Sequence, residues 1–493
     1  MRWVFIFTVL FLAIGCITSE PDASDSPPVV TALSGPLSRY VSVPGATEMR
    51  VPDTVLGGEI YVYQAGPAMG EPLVLVHGIG DDASRTWLHV ISKLAQTYRV
   101  LTFDLPGFGQ STRGAKLYTT KSYVEIIHNL TQRFVKRPFI LAGHSLGASV
   151  SLRYSATFPE DVRRLVIVDA AGILHRAAFL KERPKGLLTN GNMPSNKFLY
   201  AVNMFVLRRI ETIERLSVNP GTLTSSAWMR QHILAGNESV IAAMALMDDN
   251  FSGILSKVRD VPTFILWGAE DQVAPLRTGI ALHHVLPASI LHVFPHRAHA
   301  AMNEAPHEFE PSFLAAVNGD LKEDTLPSAR AVVIEGNCRN QKGAVFEGNY
   351  DRLLISGCKD VHINNAFARQ LLIENSEAGI VNSSFRSESN TATLINSEVE
   401  MTGVKIQGDI ALSLNSSRID LAGVELIGNT AALSEIRVKR TSFFSSIFAD
   451  AGVISEFKDS RSSLIVSISH IQSKVNRDRW LHGRQLVRRD EDL

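Results

Sequence analysis

The sequence GHSLG at residues 143–147 constrains the fold of this chain most strongly, because it joins a strand-like apolar run to a helix-like one. So tight a turn forces its central residue into strained torsions, and the flanking residues must be small to avoid a clash. Gly143 and Gly147 meet that requirement. The turn presents the hydroxyl of Ser145 at the head of a helix, where free amides favour a developing anion. The sequence therefore predicts a serine nucleophile, with the ring of His144 pointing away from it.

A serine hydroxyl attacks only when a base removes its proton and an acid orients that base. Both residue types follow along the chain, each after an apolar run typical of a buried strand. Asp271 is the predicted acid and His299 the predicted base. The alternatives are one acid and four histidines, of which His296 is the main rival: Glu270, His283, His284, His296 and His307.

Five segments together resemble the α/β-hydrolase family. They are His77-Gly78, DLPGFG at 104–109, GHSLG at 143–147, WGAED at 267–271 and Ala298-His299. The resemblance covers residues 45–318 and implies an α/β-hydrolase fold. It also implies an oxyanion hole made by the backbone amides of Ile79 and Leu146, supported by His77 and Gly78. One departure is Ala298, which stands where the family usually has glycine.

The type of nucleophile narrows the reaction. Relatives that open epoxides or displace halide carry an aspartate at this turn, whereas an acyl-serine suits esters, thioesters, amides and some carbon–carbon cleavages. We expect a serine hydrolase that cleaves a carboxylic ester of a small or acylated substrate. Amide or peptide cleavage and carbon–carbon hydrolysis would use the same triad. A surface binding protein with a silent hydrolase fold is the alternative from another class.

An insertion separates the predicted nucleophile from the predicted acid. Residues 172–256 carry helical rather than strand patterning. In the family such an insertion is a helical cap, which shapes the substrate pocket and excludes water. We therefore expect a cap over residues 172–256.

The amino terminus has the pattern of a signal peptide. Met1-Arg2 precedes an uncharged apolar stretch that is too short for a permanent membrane helix. The sequence LAIGC at 12–16 resembles the lipobox of bacterial lipoproteins, which would make residues 1–15 the signal peptide and Cys16 the lipidated residue. Ordinary secretion, with Cys16 incidental, is the alternative.

A lipid anchor would set the location of the protein. Acyl chains on Cys16 would hold the chain at a membrane, and residues 16–44, rich in serine, aspartate and proline in their first half, would form the tether and linker. The expected location is the bacterial cell envelope, outside the cytoplasm. By resemblance to lipoprotein sorting, Ile17 favours the outer membrane in a Gram-negative cell.

The chain of 493 residues is longer than a capped hydrolase domain needs, so a second domain is expected. Residues 328–472 consist of short strand-like runs with polar turns. Motifs recur there about every 20 residues: GVxIxG at 403–408 and GVxLxG at 423–428, apolar pairs with Cys338 and Cys358, and Asn-Ser at 375, 396 and 415. Such a period is typical of a right-handed parallel β-helix-like domain, with a β-sandwich as the alternative.

Cys338 and Cys358 would then lie on adjacent coils, within reach of a disulfide, although two buried free thiols are an open alternative. A polysaccharide or a protein is the possible partner of the coils, and a passive spacer is an equal alternative. Residues 473–493 are predicted to be a charged, solvated tail.

Composition excludes other classes of function. The formal net charge is zero, which disfavours a nucleic-acid partner because phosphate binding needs a basic excess. No zinc pattern, glycine-rich phosphate loop or ribose-reading acid is visible in the sequence. We therefore expect neither a metal nor a cofactor.

Overall fold

The computed structural model describes residues 43–114, 116–174, 237–322, 332–428, 436–439, 453–456, 463–472 and 479–486. The predicted signal peptide, nearly all of the predicted tether, Cys16 and most of the predicted cap lie outside these ranges. Among the described helices, none has the length and apolar character needed to cross a bilayer.

The N-terminal domain is built on an eight-stranded sheet. Its strands are β1 (Thr47–Pro52), β2 (Glu59–Ala65), β3 (Glu71–Val76), β4 (Tyr98–Phe103), β5 (Phe139–His144), β6 (Val162–Val168), β7 (Thr263–Gly268) and β8 (Ser289–Phe294). They lie in the order β1-β2-β4-β3-β5-β6-β7-β8, antiparallel as far as β4 and parallel beyond it.

Helices connect and cover these strands. They are α1 (Ala83–Trp87), α2 (Ile91–Leu94), α3 (Thr120–Phe134), α4 (Leu146–Thr157), α5 (Glu238–Met247), α6 (Ser252–Leu255), α7 (Leu276–Val285), α8 (Ala301–Glu304) and α9 (Pro306–Asn318), with a 3₁₀ turn at Pro159–Asp161.

The central strands are buried on both faces, which explains their continuous apolar sequences. Every residue of β5 and β7 is buried, and separate hydrophobic clusters lie on the two sides of the sheet. The carboxyl ends of β3, β5, β7 and β8 meet at one edge, where ligands bind in open α/β sheets. The loops that follow these strands carry the predicted site residues.

The second domain is a fifteen-stranded sheet. Its strands are β9 (Val332–Arg339), β10 (Val345–Ser356), β11 (Val361–Glu374), β12 (Glu377–Val381), β13 (Ser384–Arg386), β14 (Asn390–Ile395), β15 (Glu398–Thr402), β16 (Lys405–Gly408), β17 (Ile410–Asn415), β18 (Arg418–Ala422), β19 (Glu425–Gly428), β20 (Ile436–Lys439), β21 (Val453–Glu456), β22 (Ser463–Gln472) and β23 (Arg479–Leu486).

These strands stack in three parallel columns. β12, β15 and β18 form one column, β13, β16 and β19 the second, and β14, β17 and β20 the third. β11 pairs with the first strand of every column, and β22 pairs with both β18 and β19. The sheet is therefore nearly closed, and the prediction of a parallel β-helix-like domain is confirmed.

The predicted 20-residue repeat appears directly in the strand register. Ile406 lies opposite Leu426, and Gly408 lies opposite Gly428. In the neighbouring column Leu394 lies opposite Leu414, and all these apolar side chains are buried. Cys338 and Cys358 form a disulfide, so of the two alternatives for this pair the structure contains the bonded one.

One of the predicted repeat alignments is shifted by a residue. Asn375 and Asn396 both adopt positive φ, and the side-chain Nδ2 of Asn396 donates to the side-chain Oδ1 of Asn375 over 2.7 Å. In the next coil the positive φ belongs to Ser416 rather than to Asn415. The hydroxyl of Ser417 accepts from the backbone amide of Ser397 over 3.1 Å. Ser416-Ser417 is therefore the pair that matches Asn396-Ser397, at an offset of 20 residues. The turn conformation, not the asparagine itself, is what repeats.

The predicted C-terminal tail is wrong in part. Within residues 473–493, the segment Arg479–Leu486 forms β23, which pairs antiparallel with β22. A strand at an open sheet edge offers unpaired N–H and C=O groups, to which another strand can bind through its own backbone. The arginines that suggested a solvated tail therefore do not prevent pairing.

Helix α7 joins the two domains through a buried ion pair. Arg277 donates to both carboxylate oxygens of Asp420, over 2.8 and 3.0 Å, and to the hydroxyl of Thr402 over 2.8 Å. The Arg277 side chain is 7% exposed and that of Asp420 is fully buried. Gly423, at φ +59°, lets the coil approach α7, since a Cβ there would lie 2.6 Å from the Cα of Ala281. The β-helix-like domain is thus packed against the N-terminal domain.

We predict that Arg277→Met lowers the free energy of unfolding by about 3–5 kcal/mol, because it leaves the buried carboxylate of Asp420 without its cation. Adding Asp420→Leu should recover part of that loss, since it removes the unpaired charge. Urea unfolding of the whole chain measures both. Arg163→Met is the control: its pair with Glu71 is 60% exposed on the arginine side, so a loss below about 1 kcal/mol is expected. An equal loss in both single variants would contradict the prediction.

Candidate active site

Ser145 occupies the strained turn between β5 and α4. Its φ of 53° and ψ of −118° lie outside the usual regions for a residue with a side chain. A Cβ on Gly143 would lie 2.3 Å from the carbonyl oxygen of Gly147, and a Cβ on Gly147 would lie 2.3 Å from that of Val76. Glycine at both positions lets the helix approach the ends of β3 and β5 and hold the serine hydroxyl at the sheet edge.

Ser145, His299 and Asp271 form one hydrogen-bonded relay. The Nε2 atom of His299 lies 2.9 Å from the Oγ atom of Ser145, and its Nδ1 atom lies 2.7 Å from the Oδ2 atom of Asp271. Because the carboxylate of Asp271 can only accept a hydrogen bond, Nδ1 of His299 must carry the ring proton. Nε2 then offers its lone pair to the serine hydroxyl. The three residues thus have the relative placement of a nucleophile, a general base and its orienting acid.

Backbone amides hold the acid in place. The Oδ1 atom of Asp271 accepts hydrogen bonds from the amides of Val273 and Ala274, over 2.7 and 2.9 Å. The carboxylate is fully buried, whereas the side chain of His299 is 20% exposed. The acid is therefore fixed inside the protein, and the base faces the open side of the site.

The alternative residues lie elsewhere. His296 and Glu270 face solvent and pair with each other over 3.1 Å. His283 contacts the hydroxyl of Ser289, and His284 is packed beside Gly403 at the domain junction. His307 is 80% exposed. None of the five alternative residues contacts Ser145 in the described part of the chain.

A cavity of about 450 Å³ opens beside the relay. Its lining comprises Gly78, Ile79, Gly80, Asp81, Arg85, Leu88, His144, Ser145, His299 and Asn303. Ile79, one of the two predicted oxyanion donors, is therefore in the same cavity as the nucleophile. Leu146, the other, is the first residue of α4, where backbone N–H groups have no acceptor within the helix.

His77 braces the loop that carries Ile79. Its Nε2 atom accepts from the amide of Leu105 over 2.8 Å, so its Nδ1 atom holds the proton and donates to the carbonyl of Gly78 over 2.7 Å. The ring is completely buried. His77 thus ties the loop after β3 to the loop after β4.

His144 was expected to point away from the site, and this expectation is wrong. His144 is among the residues that line the cavity, its ring centroid lies 5.0 Å from that of His299, and Nε2 donates to the backbone carbonyl of His299 over 2.8 Å. Burial, followed by the nearby charge on His299, lowers the pKa of His144 to about 3. His144 is therefore neutral near pH 7 and holds the loop of the base. Its partner lies 155 positions away, which no local pattern reveals.

Residues 71–306 match the family model described as the alpha/beta hydrolase fold. Among similar curated proteins, 2-hydroxy-6-oxo-2,4-heptadienoate hydrolase of Pseudomonas putida is 29% identical over 248 residues, covering 49% of this chain and 86% of that protein. Lipase 1 of Psychrobacter immobilis is 24% identical over 274 residues, covering 53% and 82%. A solved membrane phospholipase A, described as a bacterial virulence factor, shares 23% identity with a TM-score of 0.41, covering 56% and 87%. The match to the family model and the observed strand order give the N-terminal domain the α/β-hydrolase fold, as its motifs predict.

The low pKa of His144 predicts acid sensitivity. Above about pH 6.5 the ring is neutral in both the folded and the unfolded chain, and below it only the unfolded chain takes up the proton. Stability contributed by the neutral ring is therefore lost as the pH falls from about 6.5 towards 3. In His144→Gln, which keeps a donor for the carbonyl of His299, the loss between pH 7.5 and pH 5 should be about 2 kcal/mol smaller than in the unmodified protein.

Urea unfolding at the two pH values measures this difference. His89→Gln is the control, because His89 is exposed. An identical pH dependence in His144→Gln and the unmodified protein would contradict the assignment of a neutral buried ring.

Proposed function

We propose that this protein is a lipid-anchored serine hydrolase of the cell envelope that cleaves a carboxylic ester through an acyl-serine intermediate. The observation that carries the proposal is the relay from Ser145 through His299 to Asp271, which opens into the cavity. The comparisons support a hydrolase, and the ester substrate rests on the chemistry of the relay.

The reaction would follow from this geometry. His299 Nε2 takes the proton of Ser145 as the Oγ atom attacks the ester carbonyl carbon, and the amides of Ile79 and Leu146 hold the resulting oxyanion. Collapse of the intermediate breaks the bond to the alcohol oxygen, which receives the proton from His299. A water molecule then attacks the acyl-serine, gives a proton to His299, and the second collapse returns that proton to Ser145.

Ester cleavage needs only groups that line this site. An alcohol leaves once it receives the proton held on His299 Nε2, whereas a carbon leaving group needs an electron sink within the substrate. Carbon–carbon hydrolysis is the second candidate, because the P. putida relative is named for a hydrolase of 2-hydroxy-6-oxo-2,4-heptadienoate. Assays with short and long acyl esters, acetylated glycans, aminoacyl amides and that dienoate compare the classes directly.

We predict that a fluorophosphonate probe labels the protein at Ser145, because only a serine with an engaged base attacks phosphorus readily. Ser145→Ala should abolish labelling, and His299→Ala should slow it by at least about 10³-fold. His296→Ala, which alters an exposed histidine of the same loop, is the matched control and should label at the normal rate. Failure of the folded, unmodified protein to react would favour the binding-protein alternative.

The lipid anchor is tested at Cys16. We expect cells that express the full chain to incorporate labelled palmitate into it, and Cys16→Ser to remove both the label and the membrane fraction of the protein. Cys358→Ser is the control and should keep the label, because it changes a cysteine of the disulfide with Cys338 and leaves the lipobox intact. A soluble, unlabelled protein with intact Cys16 would support ordinary secretion instead.

A further inference from the structure

A second buried carboxyl lies behind the relay. Asp169 follows the last residue of β6 and adopts a positive φ of 48°. β6 lies between β5 and β7, the strands that lead to Ser145 and to Asp271. Asp169 is only 1% exposed. Neither the sequence motifs nor the proposed reaction uses it.

The two oxygens of Asp169 have different surroundings. Oδ1 accepts from the amide of Gly268 over 2.9 Å. Oδ2 is buried and has no donor among the described residues. Gly268 connects the two carboxyl-bearing residues, because its amide binds Asp169 and its carbonyl accepts from the amide of Asp271 over 3.3 Å, so the two acids are close neighbours. A buried acceptor without a donor is costly, and so are two adjacent buried negative charges.

One proton removes both costs. If Oδ2 of Asp169 carries it, the orphan acceptor becomes a donor, and Asp271 receives a hydrogen bond in place of a like charge. The charged groups around Asp169 favour this state, because Asp271 and Glu304 are both acidic. Burial, and next the charge of Asp271, raise the pKa of Asp169 well above its usual range.

We propose that Asp169 is held protonated and donates a hydrogen bond to the carboxylate of Asp271, acting as a positioning residue for the acid of the relay. The proposal rests on the proposed function, since it assigns the role of Asp169 through Asp271. Two amides fix Oδ1 of Asp271 from one side. The donor on Asp169 adds a further hydrogen bond to this carboxylate and helps to keep Oδ2 directed at His299. It also leaves one negative charge, rather than two, behind the base.

Asp169→Asn is the test, because an amide keeps the shape, the acceptor for Gly268 and a donor for Asp271, and it carries no charge. We expect Asp169→Asn to react with the fluorophosphonate within about threefold of the normal rate, and the midpoint of its pH–rate profile to stay within about 0.3 pH units. Asp169→Ala, which removes the donor, should react about 10- to 100-fold more slowly, with little change in KM for an ester substrate. The rescue by asparagine separates donation from packing.

An ionised Asp169 would give the opposite result. Removing its charge would then make the protonated base less stable and shift the midpoint of the Asp169→Asn profile down by on the order of one pH unit. That shift, a tenfold or greater loss of rate in folded Asp169→Asn, or failure of this variant to fold would overturn the proposal. Glu270→Gln is the control, because it removes an exposed carboxylate next to Asp271 in sequence, and no shift is expected.

A readout without catalysis separates this proposal from the proposed function. At pH 8 the infrared spectrum of the unmodified protein should contain the band of a protonated carboxyl that is missing from Asp169→Asn. Presence of that band in a protein that no fluorophosphonate labels would support the protonated pair and refute the hydrolase. Absence of the band in a protein that is labelled would refute the pair alone.

Discussion

The strained turn at Ser145 is the constraint on which the rest of the site depends. The serine hydroxyl can face the cavity only because Gly143 and Gly147 let α4 approach the ends of β3 and β5 within distances that a Cβ would forbid. The same close approach places the N-terminus of α4 beside the loop of Ile79. A larger residue at either glycine would therefore move the nucleophile and its predicted oxyanion donors together.

The acid of the relay and the β-helix-like domain are attached to the same short segment. Asp271 is held by amides of Val273 and Ala274, and α7 begins two residues later with Arg277 as its second residue. Arg277 is anchored in the second domain by Asp420 and Thr402. The second domain is thus anchored only about six residues along the chain from the acid.

The sequence allows prediction of features that depend on local spacing. The tight turn, the strand-ending acid and histidine, and the 20-residue repeat each require particular residue types at fixed intervals, and each is visible without a structure. The bonds of His144 to His299, of Gly268 to Asp169 and of Arg277 to Asp420 span 155, 99 and 143 positions. These bonds arise from packing of the whole fold. The strand β23 was not predicted, because edge pairing uses backbone groups that every sequence contains.

Charge around the candidate nucleophile is limited by burial. His144 is neutral near pH 7 because desolvation lowers its pKa, and the bonding of His77 requires a neutral ring with its proton on Nδ1. Neither ring therefore places a positive charge beside His299. If Asp169 is also neutral, the ionised carboxylate of Asp271 is the charge nearest the base in the described residues. The imidazolium formed during acyl transfer would then face a single, fixed carboxylate partner.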